Sequence, residues 1–222
     1  MTRKIDIMHN ADALHALERD LRRIFDARLH ALVVYGGAVG GPHTNTLVVV
    51  SGLSAADLAQ CGARLSGWQA RGLATPLLLE RGEFEASLDA FPFEFGAILS
   101  DYAVVCGADP FDGLAPDAAD VRRACEVQAR SHLLHLREGY IETAGDSTHT
   151  ADLVVQSAPA LAALLRNVGR MAHAPQPGTV LQRVAELSAG GTISGDEAER
   201  LMASYLESLR TLVDALDRWS DA

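Results

Sequence analysis

Two short apolar runs flank a glycine-rich segment early in the chain, and this arrangement constrains the fold more than any other feature. The runs are Ala31-Leu32-Val33-Val34-Tyr35 and Leu47-Val48-Val49-Val50, and residues 36–42 between them hold four glycines and one proline. Continuous apolar runs of this length are typical of buried strands, whereas glycine and proline clusters form turns. The pattern predicts two neighbouring strands of one sheet, joined by a short loop.

Helical patterns lie on both sides of this strand pair. Apolar residues at three- and four-residue steps predict a helix over residues 11–28, and Asn10 is the expected cap at its start. A second helix is predicted over residues 54–71, because Ser54 and Asp57 have the spacing of a capping box. Further strands are predicted over residues 77–79, 90–99 and 102–106.

The second half of the chain carries almost no strand signal. A long helix is predicted from Asp117 to about Ile141, a second over residues 161–171, a third over residues 180–187, and a last one that Ser194 and Glu197 begin as a capping box. The last helix has apolar residues in 4-3-4-3 spacing, which is typical of the seam of a helix bundle. These seam residues are Met202, Leu206, Leu209, Val213 and Leu216.

These patterns together predict an α+β protein with two domains. Residues 1–114 are expected to form a small mixed-sheet α/β domain, and residues 115–222 an all-α helical bundle.

Composition excludes several classes of protein. The 19 basic and 29 acidic residues give a net charge of −10, which argues against general binding to nucleic acids. No apolar run approaches the roughly 18–20 residues of a membrane helix, and the first residues lack the apolar core of a signal peptide. Cys61, Cys106 and Cys125 are widely spaced, which fits a reducing compartment and no zinc site. We therefore expect a cytoplasmic protein that does not bind membranes.

The segment from Leu32 to Val50, LVVYGGAVGGPHTNTLVVV, resembles the nucleotidyltransferase superfamily with the DNA polymerase beta fold. In that family a strand ends in Gly-Ser or Gly-Gly, and the next strand opens with Asp-x-Asp. The resemblance implies glycines that let backbone amides approach a triphosphate, and two carboxylates that hold two magnesium ions. Residues 87–110 are similar to uncharacterised bacterial members of this superfamily. A small sheet domain followed by a helical bundle also resembles the antibiotic and minimal nucleotidyltransferases.

The resemblance assigns the family's positions to residues of this chain. Gly36 and Gly37 stand at the glycine pair, and Thr44 and Thr46 stand where the two metal-binding carboxylates are expected. Residues 27–56 contain neither Asp nor Glu, so no shift of the alignment restores the carboxylate pair. A neutral hydroxyl binds magnesium poorly without neighbouring carboxylates or phosphates, so no metal and no cofactor is expected.

Two more residues complete the predicted site. Glu94, in the middle of the predicted strand 90–99, is the candidate for the family's third carboxylate, with Asp89 as the weaker candidate. His43 stands in the glycine loop beside Thr44, where it could contact a phosphate. A single carboxylate cannot build a two-metal site. The sequence thus predicts a catalytically degenerate nucleotidyltransferase-like protein that binds a nucleotide, another small anion or a protein partner. The predicted ligand-binding residues are Gly36, Gly37, His43, Thr44, Thr46 and Glu94.

Other hypotheses stay open at this point. The chain is an active nucleotidyltransferase if displaced acids such as Glu83, Asp89 or Glu94 bind the metal. It is a structural protein if the helical bundle forms a homodimer. Residues 166–173 resemble the Arg-to-His motif of HEPN helical domains, some of which are ribonucleases, although Arg and His also favour the end of a helix by charge.

Overall fold

The computed structural model describes residues 10–36 and 43–219 of the chain. The chain divides into two compact units, Met1–Pro116 and Asp117–Ala222. The described strands are β1 (Leu29–Tyr35), β2 (Asn45–Val50), β3 (Leu77–Glu80) and β4 (Tyr102–Gly107). The described α-helices are α1 (Ala11–Phe25), α2 (Ala55–Gly62), α3 (Leu65–Gln69), α4 (Glu83–Ala86), α5 (Pro92–Ser100), α6 (Ala118–Glu142), α7 (Ser147–Val168), α8 (Thr179–Glu186) and α9 (Gly195–Asp217).

The four strands form one mixed sheet in the order β3-β2-β1-β4. β1 pairs antiparallel with both β2 and β4, whereas β3 runs parallel to β2. Val33 lies opposite Leu47, and Tyr35 lies opposite Asn45. The prediction of two neighbouring strands around the glycine segment is confirmed, and so is the α+β class with its mixed sheet and following helices.

Each face of the sheet covers its own core, because successive side chains of a strand point to opposite faces. On one face, Leu32 and Val48 pack in a cluster with residues of α1, α2 and α3. On the other face, Val33 and Leu47 pack in a cluster that includes Phe84 of α4 and Ile98 of α5. The first unit therefore has helices on both faces of one sheet.

The strand predicted over residues 90–99 is wrong, because this segment forms helix α5. Pro92 stands in the first turn of α5, where its missing N–H costs nothing and its fixed φ favours the helix. The alternating phenylalanines suggested a strand, but Phe95, Ile98 and Leu99 pack on the sheet at helical spacing. The helix predicted over residues 54–71 is interrupted, and α2 and α3 replace it.

The second unit consists of helices over its described residues. α6, α7 and α9 each pack against the other two, and α8 packs against α7 and α9. The caps predicted at Asp117 and Ser194 are confirmed, since each side chain accepts a hydrogen bond from a backbone N–H of its helix. Helix α7 begins much earlier than predicted, at Ser147, because Asp146 caps it and Pro159 lies exposed in its interior without ending it.

Across the described segments, every helix is too short or too polar to cross a lipid bilayer.

Candidate ligand-binding site

The end of β1 is shaped by Gly36, the first predicted site residue. Gly36 has a φ of +70°, in the left-handed region that glycine adopts without steric cost. Its N–H donates to the carbonyl oxygen of Asp101 at 3.0 Å, which fastens the end of β1 to the start of β4. Gly37, the second glycine of the predicted pair, lies outside the described residues.

Thr44 is held in place just before β2. Its N–H donates to the carbonyl oxygen of Gly72 at 2.8 Å, and its own carbonyl accepts from the N–H of Ala74 at 2.9 Å. The Thr44 hydroxyl accepts a hydrogen bond from the side-chain amide of Asn10 at 3.1 Å. His43, immediately before it, is exposed.

Asn10 stands at the predicted N-cap position of α1, but the capping hydrogen bond expected of its side chain is absent. The side chain is directed to Thr44 instead. Asn10 is therefore a neighbour of the candidate site that sequence reasoning missed. Its position directly before a helix suggested a local partner, and the actual partner is 34 residues away along the chain.

Thr46 is the most unusual residue of the candidate site. It lies in β2 opposite Val34 and is only 1% exposed. Its hydroxyl oxygen is buried and has no hydrogen-bond partner among the described residues. Such orphaned polar atoms are rare in folded proteins, because leaving a buried group unpaired costs about 1–3 kcal/mol.

Thr44 and Thr46 are two residues apart and therefore point to the same face of the sheet. Val34, the partner of Thr46, belongs to the cluster on the α1 side. The hydroxyls thus occupy adjacent positions on one face, as a pair of carboxylates would.

Glu94 does not lie near Thr44 and Thr46. It lies exposed in the first turn of α5, and α5 packs on the opposite face of the sheet. The structure therefore separates Glu94 from Thr44 and Thr46, and a metal shared among the three positions has no geometric basis. Across the described residues, no three His, Cys, Asp or Glu side chains gather in a way that could hold a metal ion.

A cavity of about 520 Å³ lies at the other end of the same sheet, near the start of β1. None of the predicted site residues lines it. Its walls include His30, Arg81 and four acids, of which Asp109 accepts a hydrogen bond from Tyr102 at 2.8 Å. Burial, followed by this hydrogen bond, raises the pKa of Tyr102 to about 12. An acidic lining repels anions, so this cavity is not suited to a nucleotide. The acids that line it are Glu80, Glu85, Asp109 and Asp112.

Comparison with known proteins reveals little similarity at the level of sequence. No protein family model matches the chain, and no curated protein sequence matches it. One solved structure that is similar is the crystal structure of spectinomycin adenyltransferase AAD(9) from Enterococcus faecialis with ATP and spectinomycin. The two chains are 13% identical and have a TM-score of 0.42, over 94% of this chain and 100% of the other. The assignment of functional residues therefore depends on the geometry described above.

Proposed function

We propose that the first unit is a nucleotidyltransferase-like domain that binds a nucleotide-like anion at the glycine end of its sheet without transferring a nucleotidyl group. The second unit is then the helical bundle domain that follows it. The ligand lies where Gly36 follows β1, next to Thr44 just before β2 and Thr46 within it.

The orphaned hydroxyl of Thr46 is the observation that carries this proposal. A phosphate oxygen is a strong acceptor, and a hydrogen bond to a charged acceptor stabilises more than one between neutral groups. A ligand phosphate would supply the partner that the described residues do not supply. Thr44 adds a second hydroxyl on the same face, and Gly36 keeps the backbone free of a side chain there.

The same residues argue against catalysis. Transfer by two metal ions requires carboxylates that clamp the attacking and leaving oxygens. Residues 27–56 contain none, and Glu94 lies on the opposite side of the sheet. Binding without magnesium-dependent transfer is the activity that this set of side chains supports.

The direct test combines an ATP titration with an assay for transfer. Calorimetry should detect ATP binding in the presence of EDTA, with no gain in affinity when magnesium is added. Incubation with radiolabelled ATP, magnesium and a panel of hydroxyl acceptors should yield no labelled product. Magnesium-dependent labelling that Glu94→Gln abolishes would instead establish an active enzyme with a displaced metal site.

Thr46→Val tests the site itself. Valine has nearly the shape of threonine, so the variant removes the orphaned hydroxyl and should leave the melting temperature of the free protein unchanged or higher. Its affinity for ATP should fall about 10- to 150-fold, which corresponds to one lost hydrogen bond to a charged acceptor.

Thr150→Val is the matched control. Thr150 is fully buried in α7, and its hydroxyl donates to the carbonyl oxygen of Asp146 at 2.9 Å. Losing this bond should lower the melting temperature and leave ATP affinity unchanged. Wild-type ATP affinity in Thr46→Val would show that the ligand, if any, binds elsewhere.

A further inference from the structure

A chain of hydrogen bonds connects three helices of the second unit. The Tyr205 hydroxyl of α9 lies 2.7 Å from Nε2 of His132 on α6 and 3.1 Å from Oγ of Ser157 on α7. The Ser157 hydroxyl in turn lies 2.8 Å from the carbonyl oxygen of Val154, to which it donates. Tyr205 itself is fully buried, so these contacts are its hydrogen bonds within the described structure.

The hydrogen bonds around Tyr205 determine that Nε2 of His132 carries a proton. Ser157 has one hydroxyl proton and gives it to Val154, so Tyr205 must donate to Ser157. Tyr205 has then used its own proton, and it must accept from Nε2 of His132. Only this arrangement satisfies all three contacts. His132 therefore carries a proton on Nε2, and in the neutral imidazole Nδ1 is left as an acceptor.

Burial lowers the pKa of His132, and the nearby His135 lowers it further, which favours the neutral imidazole. No hydrogen bond reaches Nδ1 from the described residues. The one buried and unpartnered side-chain oxygen or nitrogen in the described structure is Thr46 Oγ1, so Nδ1 of His132 is not sealed off.

A cavity of about 630 Å³ between α6 and α7 has His132 in its wall. Its size lies within the range of small-molecule sites, which are mostly apolar with a few polar groups. It is open to solvent along exposed residues such as Val127 and Ala160, and no Asp, Glu, Lys or Arg lines it. The apolar part of the wall includes Val127, Leu136, Leu153, Ala160, Ala163 and Leu164.

We propose that this cavity binds an uncharged small molecule with an apolar body and one hydrogen-bond donor, and that Nδ1 of His132 accepts from that donor. A hydroxyl or an amide N–H would serve as the donor. A charged ligand is disfavoured because no side chain in the wall offers an opposite charge. All residues of this site belong to the second unit, so the proposal does not depend on the nucleotide site.

Two fluorescent probes of nearly equal shape test the proposal on the full chain. 2-Naphthol carries a hydroxyl donor, whereas 2-methoxynaphthalene has the same rings and no donor. Titration at pH 7.5 should show that 2-naphthol binds about three- to tenfold more tightly, which corresponds to one hydrogen bond. His132→Phe should abolish this preference while 2-methoxynaphthalene still binds.

Ala160→Leu fills the cavity from the exposed side of α7, and both probes should lose at least tenfold in affinity. Ala203→Leu is the matched control, because Ala203 is exposed on α9 and does not line the cavity. Circular dichroism and melting temperature establish that each variant is folded. Should His132→Phe not fold, the ratio of the two affinities in the wild type and the effect of Ala160→Leu still decide the question.

Four results would overturn the proposal. The first is that neither probe binds below 1 mM, and the second is that both bind equally to the wild type. The third is that Ala160→Leu leaves their affinities unchanged, since the probes would then bind elsewhere. The fourth is a dimer that Ala160→Leu dissociates on a sizing column, since a second copy of the chain would then cover the cavity.

Discussion

At the scale of single residues, the ion pair between Asp57 and Arg28 is a bidentate contact within the first unit. Two nitrogens of Arg28 each donate to one carboxylate oxygen of Asp57 at 2.8 Å. Ser54 adds its N–H at 3.0 Å and its hydroxyl at 2.7 Å. These hydrogen bonds, with Arg28 contributing most, hold the pKa of Asp57 well below its usual range. The contact ties the start of β1 to the first turn of α2.

The lowered pKa predicts how stability depends on pH. Because the folded-state pKa lies below the unfolded value of about 3.9, the stabilisation is complete above that value and is lost as the pH falls towards the folded-state pKa. Asp57→Asn should therefore melt at a lower temperature than the wild type at pH 7. The difference should shrink as the pH falls below about 4.

Asp152→Asn is the control for this series, because Asp152 is exposed on α7. Its melting temperature should follow the wild type throughout. A constant difference between Asp57→Asn and the wild type from pH 7 to pH 3 would contradict the assigned role of the ion pair.

Gly36 offers a second prediction at this scale. Among the described residues, a Cβ at Gly36 would meet only the Asn45 side-chain nitrogen, at an ordinary 3.6 Å, so the expected cost of Gly36→Ala is strain in φ. The expected loss in the free energy of unfolding is about 1–2 kcal/mol, the cost of a left-handed residue with a Cβ.

Gly52→Ala is the comparison for Gly36→Ala. Gly52 has no positive φ and open space around its Cβ position, so the substitution should change stability by less than about 0.5 kcal/mol. Urea denaturation of both variants measures the two effects. Equal stability of the two variants would mean that the turn at Gly36 adapts without strain.

At the scale of elements, the buried side of α9 differs from the seam that its 4-3-4-3 spacing predicted. The 4-3-4-3 spacing predicted Leu206 and Leu209 as equivalent core residues, but Leu209 is fully buried and Leu206 only half-buried. α9 packs against α6, α7 and α8, so its buried stripe is wider than the seam of a coiled coil. The wider stripe also includes Leu201, Tyr205 and Leu212.

This difference predicts unequal effects of two similar truncations. Leu209→Ala should lower the free energy of unfolding by about 2–5 kcal/mol, as is typical of truncating a buried leucine. Leu206→Ala should cost clearly less, because its side chain loses less contact. Glu207→Ala, on the exposed side, should be nearly silent. Urea denaturation measures the free energy of unfolding of the three variants. An equal loss for both leucine variants would contradict the unequal burial and would support a coiled-coil seam in which the two leucines are equivalent.

At the scale of the whole molecule, a homodimer through the helical bundle stays a prediction. Helix α6 exposes Leu134 and Ile141, which are 56% and 79% accessible and do not line the cavity between α6 and α7. Their seven-residue spacing places them along one side of the helix. Exposed apolar rows of this kind are typical of interaction surfaces.

Light scattering on a sizing column tests the homodimer. The wild type should have twice the 23.6 kDa of one chain, and Leu134→Glu should have the mass of one chain. Ser204→Glu, at an exposed position of α9, should leave the mass unchanged. A wild-type protein that runs as a monomer at high micromolar concentration would contradict the prediction.

The sequence by itself determined the features that depend on residues close together in the chain, namely the type of an element and the position where it begins. The strands β1 and β2, the capping box of Ser54 and Asp57, and the helix start at Asp117 all follow from local patterns that the structure confirms. The α+β class follows from the same patterns, because periodicity reports which side of an element is buried.

Only the tertiary structure decided what depends on residues far apart in the chain. The pattern of Phe91, Phe93 and Phe95 is compatible with a strand or a helix. The segment forms helix α5 and packs against the sheet, so Glu94 lies on the opposite face from the threonines. The side chain of Asn10 donates a hydrogen bond to Thr44, 34 residues away along the chain. The hydroxyl of Thr46 is buried and has no hydrogen-bond partner among the described residues. The physical reason is that local energies set the type of an element, whereas burial and hydrogen-bond pairing depend on the elements packed around it.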